Sequence, residues 1–193
     1  MKKPRVSIII VIWLFVLRAM GSYNGLVKAD ESVKAARAQV ESQYQRRADL
    51  IPNLVSTVKG YASHEENIFL EVTNARAKAG QTTVTLDDAQ SIASYQQAQG
   101  EVSSALTRLL AIAENYPDLK ANQNFLELQV QLEGTENRIA TERMRYNNIT
   151  KDFNIMIRRF PSNIIANMFG FSGKELFQAD QWTDKAPAVD FTK

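Results

Sequence analysis

The chain lacks several residues on which catalytic and cross-linked proteins depend. It has no cysteine and a single histidine among its 193 residues, which excludes a disulfide framework and a thiolate metal site. A histidine-built metal site or a serine-histidine triad is possible only in minimal form. Glycine and proline are scarce, with 8 and 5 copies, so few residues would interrupt a helix. The sequence also has no glycine-rich phosphate loop.

Acidic residues are missing from the first 21 positions, which carry four basic side chains. The formal net charge of the whole chain is +2, so residues 22–193 have a net charge of −2. A body this close to neutral gives no reason to expect nucleic acid as a partner. The four basic residues at the N-terminus are Lys2, Lys3, Arg5 and Arg18.

The N-terminus contains an apolar run from Val6 to Leu17, interrupted only by Ser7. As a helix it would span about 18 Å, which is shorter than the roughly 30 Å hydrocarbon core of a bilayer. We interpret residues 1–21 as an uncleaved membrane anchor. The alternatives are a secretory signal cleaved before Ser22, which would release a soluble binding module, and a helix buried in the protein core.

A long amphipathic pattern lies between Phe125 and Phe160, where apolar residues recur at alternating steps of three and four. This spacing predicts a helix of about ten turns with one apolar face, here called the seam. Thr135 and Glu142 share the register, so the partner helices must also satisfy a buried carboxylate. The apolar members are Phe125, Leu128, Leu132, Ile139, Tyr146, Ile149, Phe153, Met156 and Phe160.

Three further helices are predicted ahead of this one. The first follows an apolar pattern from Val33 and ends at Gly60, with a kink near Pro52 because proline removes one backbone hydrogen bond. The fourth, which carries the seam, begins within residues 118–122 and ends near Arg159.

Capping patterns set the ends of the second and third helices. Ser63 and Glu66 form a capping box, which predicts a second helix running to about Ala79. Thr85 begins a similar pattern before the third helix, and Pro117 ends that helix because the residue before a proline disfavours helical geometry.

The predicted fold is all-α: an up-and-down antiparallel four-helix bundle with long helices, preceded by an apolar membrane segment and followed by an extended tail. Arg47 is a charged residue in the apolar face of the first helix, as Glu142 is in the seam. If the two helices lie antiparallel with these two residues opposite one another, the apolar face of the first helix meets the seam along their full shared length. We therefore predict a buried pair of Arg47 and Glu142 that fixes the register.

The predicted domains are an anchor or signal at residues 1–21, a helical bundle at 22–171 and a tail at 172–193. We expect the tail to be extended and docked through its aromatic side chains. These are Phe177, Trp182 and Phe191.

The fourth helix should return towards the membrane, which places a short apolar segment and two arginines beside the lipid interface. The alternative is that these residues close the end of the bundle. The predicted membrane-proximal surface comprises Arg158, Arg159, Ile164, Ile165, Met168 and Phe169. Near the same end we expect interhelical hydrogen bonds from Tyr23, Asn24, Tyr146 and Asn147.

His64 stands next to Glu65 and Glu66, so a metal-binding or general-base role is conceivable. The second histidine of a zinc HExxH motif is missing, however, because position 68 is Ile68. A solvated first helical turn accounts for the same residues. We predict no catalytic, cofactor or metal site, and keep a hydrolase or metal-dependent enzyme using His64 and Glu65 as the alternative.

A second charged group consists of Arg46, Arg47 and Asp49. It is able to bind an anion or the acidic group of a partner protein. The simpler explanation, which we favour, is a cluster of charges on the surface of a helix with one member in the apolar face.

The sequence closely resembles the LemA family of bacterial membrane-associated proteins. The resemblance implies a helical bundle behind one N-terminal segment in the bacterial cytoplasmic membrane, and it implies no reaction. The family's common tryptophan after the YN motif is Arg37 here. The matching stretches are YNGLVKADESV (23–33), QRRADLIPNLVSTVKGYASHEE (45–66), ENYPDLKANQNFLELQVQLEGTENRIATERMRYNN (114–148), FN (153–154), RRFPSNIIANMFGF (158–171) and AVDF (188–191).

The expected function is therefore a non-enzymatic, membrane-anchored interaction or scaffolding module of the bacterial envelope. Its expected partners are membrane lipid and other envelope proteins, and the bundle is expected on the extracytoplasmic side. No cofactor and no nucleic-acid partner is expected.

Overall fold

The computed structural model describes residues 3–178, apart from the side chains of residues 3–12 and 15. All regular structure within these residues is helical, which confirms the all-α class. Four helices are long and two are short. They are α1 Lys3–Lys59, α2 Glu66–Gln81, α3 Ala89–Ala113, α4 Pro117–Lys120, α5 Gln123–Arg158 and α6 Ser162–Phe169.

The longest helix, α1, has 57 residues and packs antiparallel to α5. The end of α1 shares a core with the start of α5, where Leu54 and Phe125 lie in one apolar cluster. The middle of α1 shares a second core with later turns of α5, through Val33 and Phe153. The N-terminal part of α1 meets α6 around Leu26.

Helices α2 and α3 form a second antiparallel pair. Lys78 and Glu101 form a 2.6 Å ion pair near one end, and Arg108 with Glu71 forms another further along. The apolar sides of both helices join the core that α1 and α5 share. Helices α2 and α3 thus pack against the C-terminal half of α1.

The helix ends agree only partly with the predicted caps. Helix α1 ends immediately before Gly60, as predicted. The capping box was wrong, because a turn occupies residues 60–65 and α2 starts after Glu65 with no side-chain cap. The cap of α3 is Asp88, whose carboxylate accepts from the backbone N–H of Gln90 at 2.9 Å. The expected Thr85 instead donates its backbone N–H to Ser91.

The long fifth helix begins where the sequence indicated. The Asn122 side chain accepts a 3.0 Å hydrogen bond from the N–H of Phe125, and the helix ends at Arg158. The seam is buried or half-buried from Phe125 to Phe153. Its last two predicted members are not buried, since Phe160 is 77% exposed and Met156 is 36% exposed. Met156 lies in the last turn of α5, and Phe160 lies beyond the end of that helix.

Helix α1 continues without a break through Pro52. Proline has no N–H, so the carbonyl of Ala48 loses its partner four residues later. The guanidinium Nε of Arg76, on α2, donates a 2.8 Å hydrogen bond to that carbonyl. A side chain from the neighbouring helix thus replaces the hydrogen bond that Pro52 removes.

This replacement predicts a measurable coupling between Pro52 and Arg76. In the natural background, Arg76→Gln should lower the free energy of unfolding by about 1 kcal/mol. In a Pro52→Ala background the cost should nearly vanish, because the N–H of the new alanine reaches the carbonyl of Ala48. Urea denaturation of the four variants measures the difference. Equal costs of Arg76→Gln in both backgrounds would contradict the replacement.

Candidate functional site

The most buried charged group in the described part of the chain is Arg47, only 2% exposed between α1, α3 and α5. Its Nη1 donates to Ser103 Oγ at 2.7 Å and to Glu136 Oε1 at 2.8 Å. Its Nη2 donates to the backbone and side-chain oxygens of Gln99 at 3.1 and 2.6 Å. The guanidinium also lies over the ring of Tyr44, 5.2 Å from its centroid.

The acidic partner of Arg47 is Glu136, so the predicted pairing with Glu142 was wrong. Glu142 instead lies 3.7 Å from Arg145, one turn away on its own helix. The pair of Arg47 and Glu142 was predicted from the charged residues of α1 and α5 alone. In the structure α3 supplies Gln99 and Ser103, and these hydrogen bonds direct the guanidinium towards a carboxylate six residues earlier on α5. The prediction that Arg47 is buried and ion-paired is confirmed.

A cleft of about 480 Å³ lies beside Arg47, between α1, α2 and α3. Its apolar wall includes Tyr44 and Tyr95, whose rings meet edge to face at 5.5 Å. Burial raises the pKa of Tyr95, so its hydroxyl stays protonated to a higher pH than that of an ordinary tyrosine. Its other lining residues are Arg37, Glu41, Gln45, Arg47, Ala48, Ile51, Arg76, Ala79, Gly80, Thr82, Thr83, Val84, Gln99 and Val102.

The histidine that motivated the enzyme alternative lies away from this cleft. His64 is exposed in the turn between α1 and α2, and Glu65 beside it accepts a long 3.4 Å hydrogen bond from Tyr116. In the described residues no group of three or more His, Cys, Asp or Glu side chains is placed to hold a metal. The exposure of His64 counts against a hydrolase built around it.

The cluster predicted around Asp49 is on the surface. Asp49 and Arg46 are both exposed, and Asp49 accepts a 2.8 Å hydrogen bond from Gln45 on the same helix. Arg47 points away from them into the core, so the three residues do not form a common site.

A second cleft, of about 500 Å³, lies at the C-terminal end of α5. Basic side chains line it, and none of its lining residues is acidic. Within residues 3–178, Lys151, Arg158 and Arg159 form no ion pair. The complete lining is Lys151, Asn154, Ile155, Arg158, Arg159 and Leu176.

The short helix α6 lies against the N-terminal part of α1. Ile165 and Ala166 pack on Leu26. Ile165 is therefore buried, and its predicted place in an exposed membrane-proximal surface was wrong. The ring of Phe169 lies 4.7 Å from that of Tyr23. Gly170 ends α6 with a left-handed φ of 74°.

Exposed apolar side chains surround this contact. On α6, Met168 is 70% exposed and Phe169 is 56% exposed. Across residues 3–178, no helix has a stretch long enough and apolar enough to cross a membrane. The exposed apolar residues on the adjoining part of α1 are Trp13, Leu14, Val16, Leu17, Met20, Tyr23 and Val27.

The hydrogen bonds predicted between helices are made to the C-terminal tail instead. The Asn147 side chain donates to the backbone carbonyl of Phe177 at 2.8 Å and accepts from its N–H at 2.9 Å. Asn154 does the same with the carbonyl and N–H of Lys174, at 2.7 and 2.9 Å. The Tyr146 hydroxyl donates to the carbonyl of Glu175. We call this arrangement the tail clamp. Of the other two residues predicted to form such bonds, Tyr23 packs its ring against Phe169, and Asn24 is exposed.

The spacing of the two asparagines matches the extended tail. Asn147 and Asn154 are two helical turns apart, about 10 Å along α5. Lys174 and Phe177 are three extended residues apart, which is also about 10 Å. The tail therefore runs antiparallel to α5, and the distance between its two bound residues equals the distance between the two asparagines on one face of that helix.

Side chains support the clamp from both directions. Phe177 is buried, which confirms the predicted docking at that residue, while Trp182 and Phe191 lie outside the described residues. Lys174 forms a 2.7 Å ion pair with Asp87. Partial burial opposes ionisation of Asp87, but hydrogen bonds from Lys174 and Ser172 outweigh it and hold the pKa of that carboxyl below its ordinary value.

Sequence comparison relates this arrangement to known proteins. Residues 36–191 match the profile of the LemA family. The chain belongs to the LemA family. The matched region contains Arg47, both clefts and the tail clamp, so the resemblance found in the sequence is confirmed over most of the chain.

Two relatives show how far the similarity extends. Magnetosome protein MamQ 2 of Paramagnetospirillum magneticum is 30% identical over 183 residues, covering 85% of this chain and 67% of the relative. Protein LemA of Metamycoplasma hominis is 23% identical over 173 residues, covering 90% of this chain and 76% of the relative.

Several site residues of this LemA-family chain escaped the sequence argument. Gln99 and Ser103 are polar residues four apart on the inner side of α3, a spacing that indicates a shared helix face. Asn147 was predicted to form hydrogen bonds, but to another helix, and its seven-residue spacing from Asn154 was a similar signal of a shared face. Arg76 gave no signal, because the carbonyl that it binds belongs to another helix.

Proposed function

We propose that this chain is a non-catalytic interaction or scaffolding module of the bacterial envelope, an up-and-down bundle of four helices attached to the cytoplasmic membrane. Residues 1–21 and the α6 end would form the attachment. The observation that carries the proposal is the concentration, at that one end, of exposed apolar side chains and of basic side chains that form no ion pair within residues 3–178. The names Protein LemA and Magnetosome protein MamQ state no reaction, in keeping with a non-catalytic role.

The apolar part of this end is unusually accessible for a soluble surface. Met168 and Phe169 are exposed on α6, and Trp13, Leu17 and Met20 are exposed on the N-terminal part of α1, the helix that α6 packs against around Leu26. Contiguous apolar patches on soluble proteins usually mark an interaction surface. A bilayer interface accepts such side chains to a depth of about 5 to 10 Å.

The basic part favours a membrane over another apolar partner. Lys151, Arg158 and Arg159 line a cleft that contains no acid, and the exposed Phe160 follows Arg159 directly. Anionic lipids attract such side chains with about 1 kcal/mol for each Lys or Arg near the surface. We therefore propose the headgroup phosphates of anionic lipid as the contact of the second cleft.

A single fluorescent label can test this contact, because the chain has no cysteine of its own. Met168→Cys, carrying an environment-sensitive fluorophore, should show a blue-shifted, brighter emission when the full chain meets phosphatidylglycerol vesicles. Phosphatidylcholine vesicles should give a weaker response. Joint replacement of Lys151, Arg158 and Arg159 by glutamine should weaken the apparent affinity for anionic vesicles about 100-fold.

Two controls match these variants. The same label at Val130→Cys, exposed in the N-terminal part of α5 and far from α6, should respond little. Glutamine substitutions at Lys59, Arg108 and Lys120 remove the same charge from the opposite end and should leave binding nearly unchanged. Equal responses at positions 168 and 130, or equal losses in the two triple variants, would contradict the proposal.

A further inference from the structure

We propose that the first cleft binds a small aromatic or apolar carboxylic acid, whose carboxylate pairs with Arg76. This site lies between the C-terminal half of α1, α2 and α3, so it is separate from the surface proposed to contact the membrane. Three properties of the cleft support this site. The guanidinium of Arg76 has hydrogen-bond donors to spare, the other arginines of the cleft already have acidic partners, and the remaining walls are largely apolar and aromatic.

Arg76 is half-buried in the cleft and uses only part of its hydrogen-bonding capacity. Its Nε donates to the carbonyl that Pro52 leaves free. In the part of the chain that the structure describes, its two Nη nitrogens have no partner. The bond from Nε fixes the side chain, while the two free nitrogens keep the paired N–H donors that match a carboxylate.

The other arginines of the cleft already have acidic partners. Arg37 pairs with Glu41 at 2.7 Å, and Arg47 pairs with Glu136 at 2.8 Å. Arg76 is the cleft arginine for which the described residues provide no carboxylate. A partly desolvated cation without a counterion favours binding of an anion from solution.

The remaining walls suit an apolar body more than a bare inorganic anion. Tyr44 and Tyr95 supply aromatic surface, and Ile51, Val84 and Val102 supply aliphatic surface. A volume of about 480 Å³ falls in the range of about 300 to 1,000 Å³ usual for small-molecule sites. A planar carboxylate attached to a ring combines both requirements.

Benzoate is the probe for this site, and benzamide is its uncharged counterpart of the same shape. Titration of the full chain, followed by calorimetry or by chemical shifts, should show benzoate binding at least about tenfold more tightly than benzamide. Arg76→Gln should reduce benzoate to the level of benzamide. Arg46→Gln, which removes an exposed charge from α1, should leave benzoate binding unchanged.

Loss of Arg76 also removes the hydrogen bond to Ala48, so a folding defect must be separated from a binding defect. The Pro52→Ala, Arg76→Gln double variant restores that hydrogen bond through the new backbone N–H and should fold, yet should still fail to bind benzoate selectively. Pro52→Ala alone releases the Nε of Arg76 from Ala48 but keeps the guanidinium, so it should still bind benzoate more tightly than benzamide. Selective binding by the double variant, or equal binding of benzoate and benzamide by the natural chain, overturns the site. Inorganic phosphate binding as tightly as benzoate overturns the assignment to carboxylic acids.

Discussion

Replacing Arg47 by alanine is expected to lower the free energy of unfolding by about 3 kcal/mol, among the largest losses for a single substitution in this chain. The change removes a large, 2% exposed side chain and leaves the polar atoms of Gln99 without their donor. The stranded carboxylate of Glu136 adds less, because it is 38% exposed and can be hydrated. Urea denaturation followed by circular dichroism measures the loss.

The neighbouring Arg46 provides the matched control. It is exposed on the same turn of α1, so Arg46→Ala should change the free energy of unfolding by no more than about 0.5 kcal/mol. Glu136→Gln should cost about 1 kcal/mol or less, since it keeps an acceptor for Arg47. If Arg47→Ala and Arg46→Ala cost the same, Arg47 does not hold the three helices together.

Joint replacement of Asn147 and Asn154 by alanine should release the tail from α5. Each asparagine makes two hydrogen bonds to the tail backbone, worth about 1 kcal/mol apiece in net stability. Release would also expose Phe177, which is 6% exposed in the structure. Hydrogen exchange should accelerate at the amides of Lys174 and Phe177 by at least about 100-fold.

Asn148→Ala is the control for the tail clamp, because Asn148 is an exposed asparagine on the adjacent position of α5. It should leave exchange in residues 174–178 unchanged. The double variant should leave exchange in the buried turns of α5 largely unchanged as well. Tail protection that survives the double variant would show that Phe177 docks without the asparagines.

The sequence predicted the features that depend on periodic burial along one helix. The seam of α5 is buried or half-buried from Phe125 to Phe153, Arg47 is buried in the apolar face of α1, and that helix ends before Gly60. These outcomes follow from helical geometry and local breakers, which are properties of neighbouring residues. The membrane-proximal surface and the predicted domain limits remain predictions.

The parts that failed depend on which groups meet across helices. Glu136 rather than Glu142 receives Arg47 because α3 directs the guanidinium, and the pattern of α3 says nothing about that direction. Arg76 reaches Ala48 because α2 lies against the proline turn of α1. Side-chain hydrogen bonds to a distant backbone have no period, so a single sequence does not indicate them.

The tail clamp also restricts how the C-terminal sequence can change over evolutionary time. It contacts peptide groups, so the exposed side chains at positions 175, 176 and 178 are free to vary, whereas Lys174 is ion-paired and Phe177 is buried. The exception is proline, which has no N–H to donate. The amides of residues 174, 175, 177 and 178 all donate, to Asn154, Leu86, Asn147 and Gln96 in turn. Position 176 is therefore the place in this segment where a proline could arise without removing one of these hydrogen bonds.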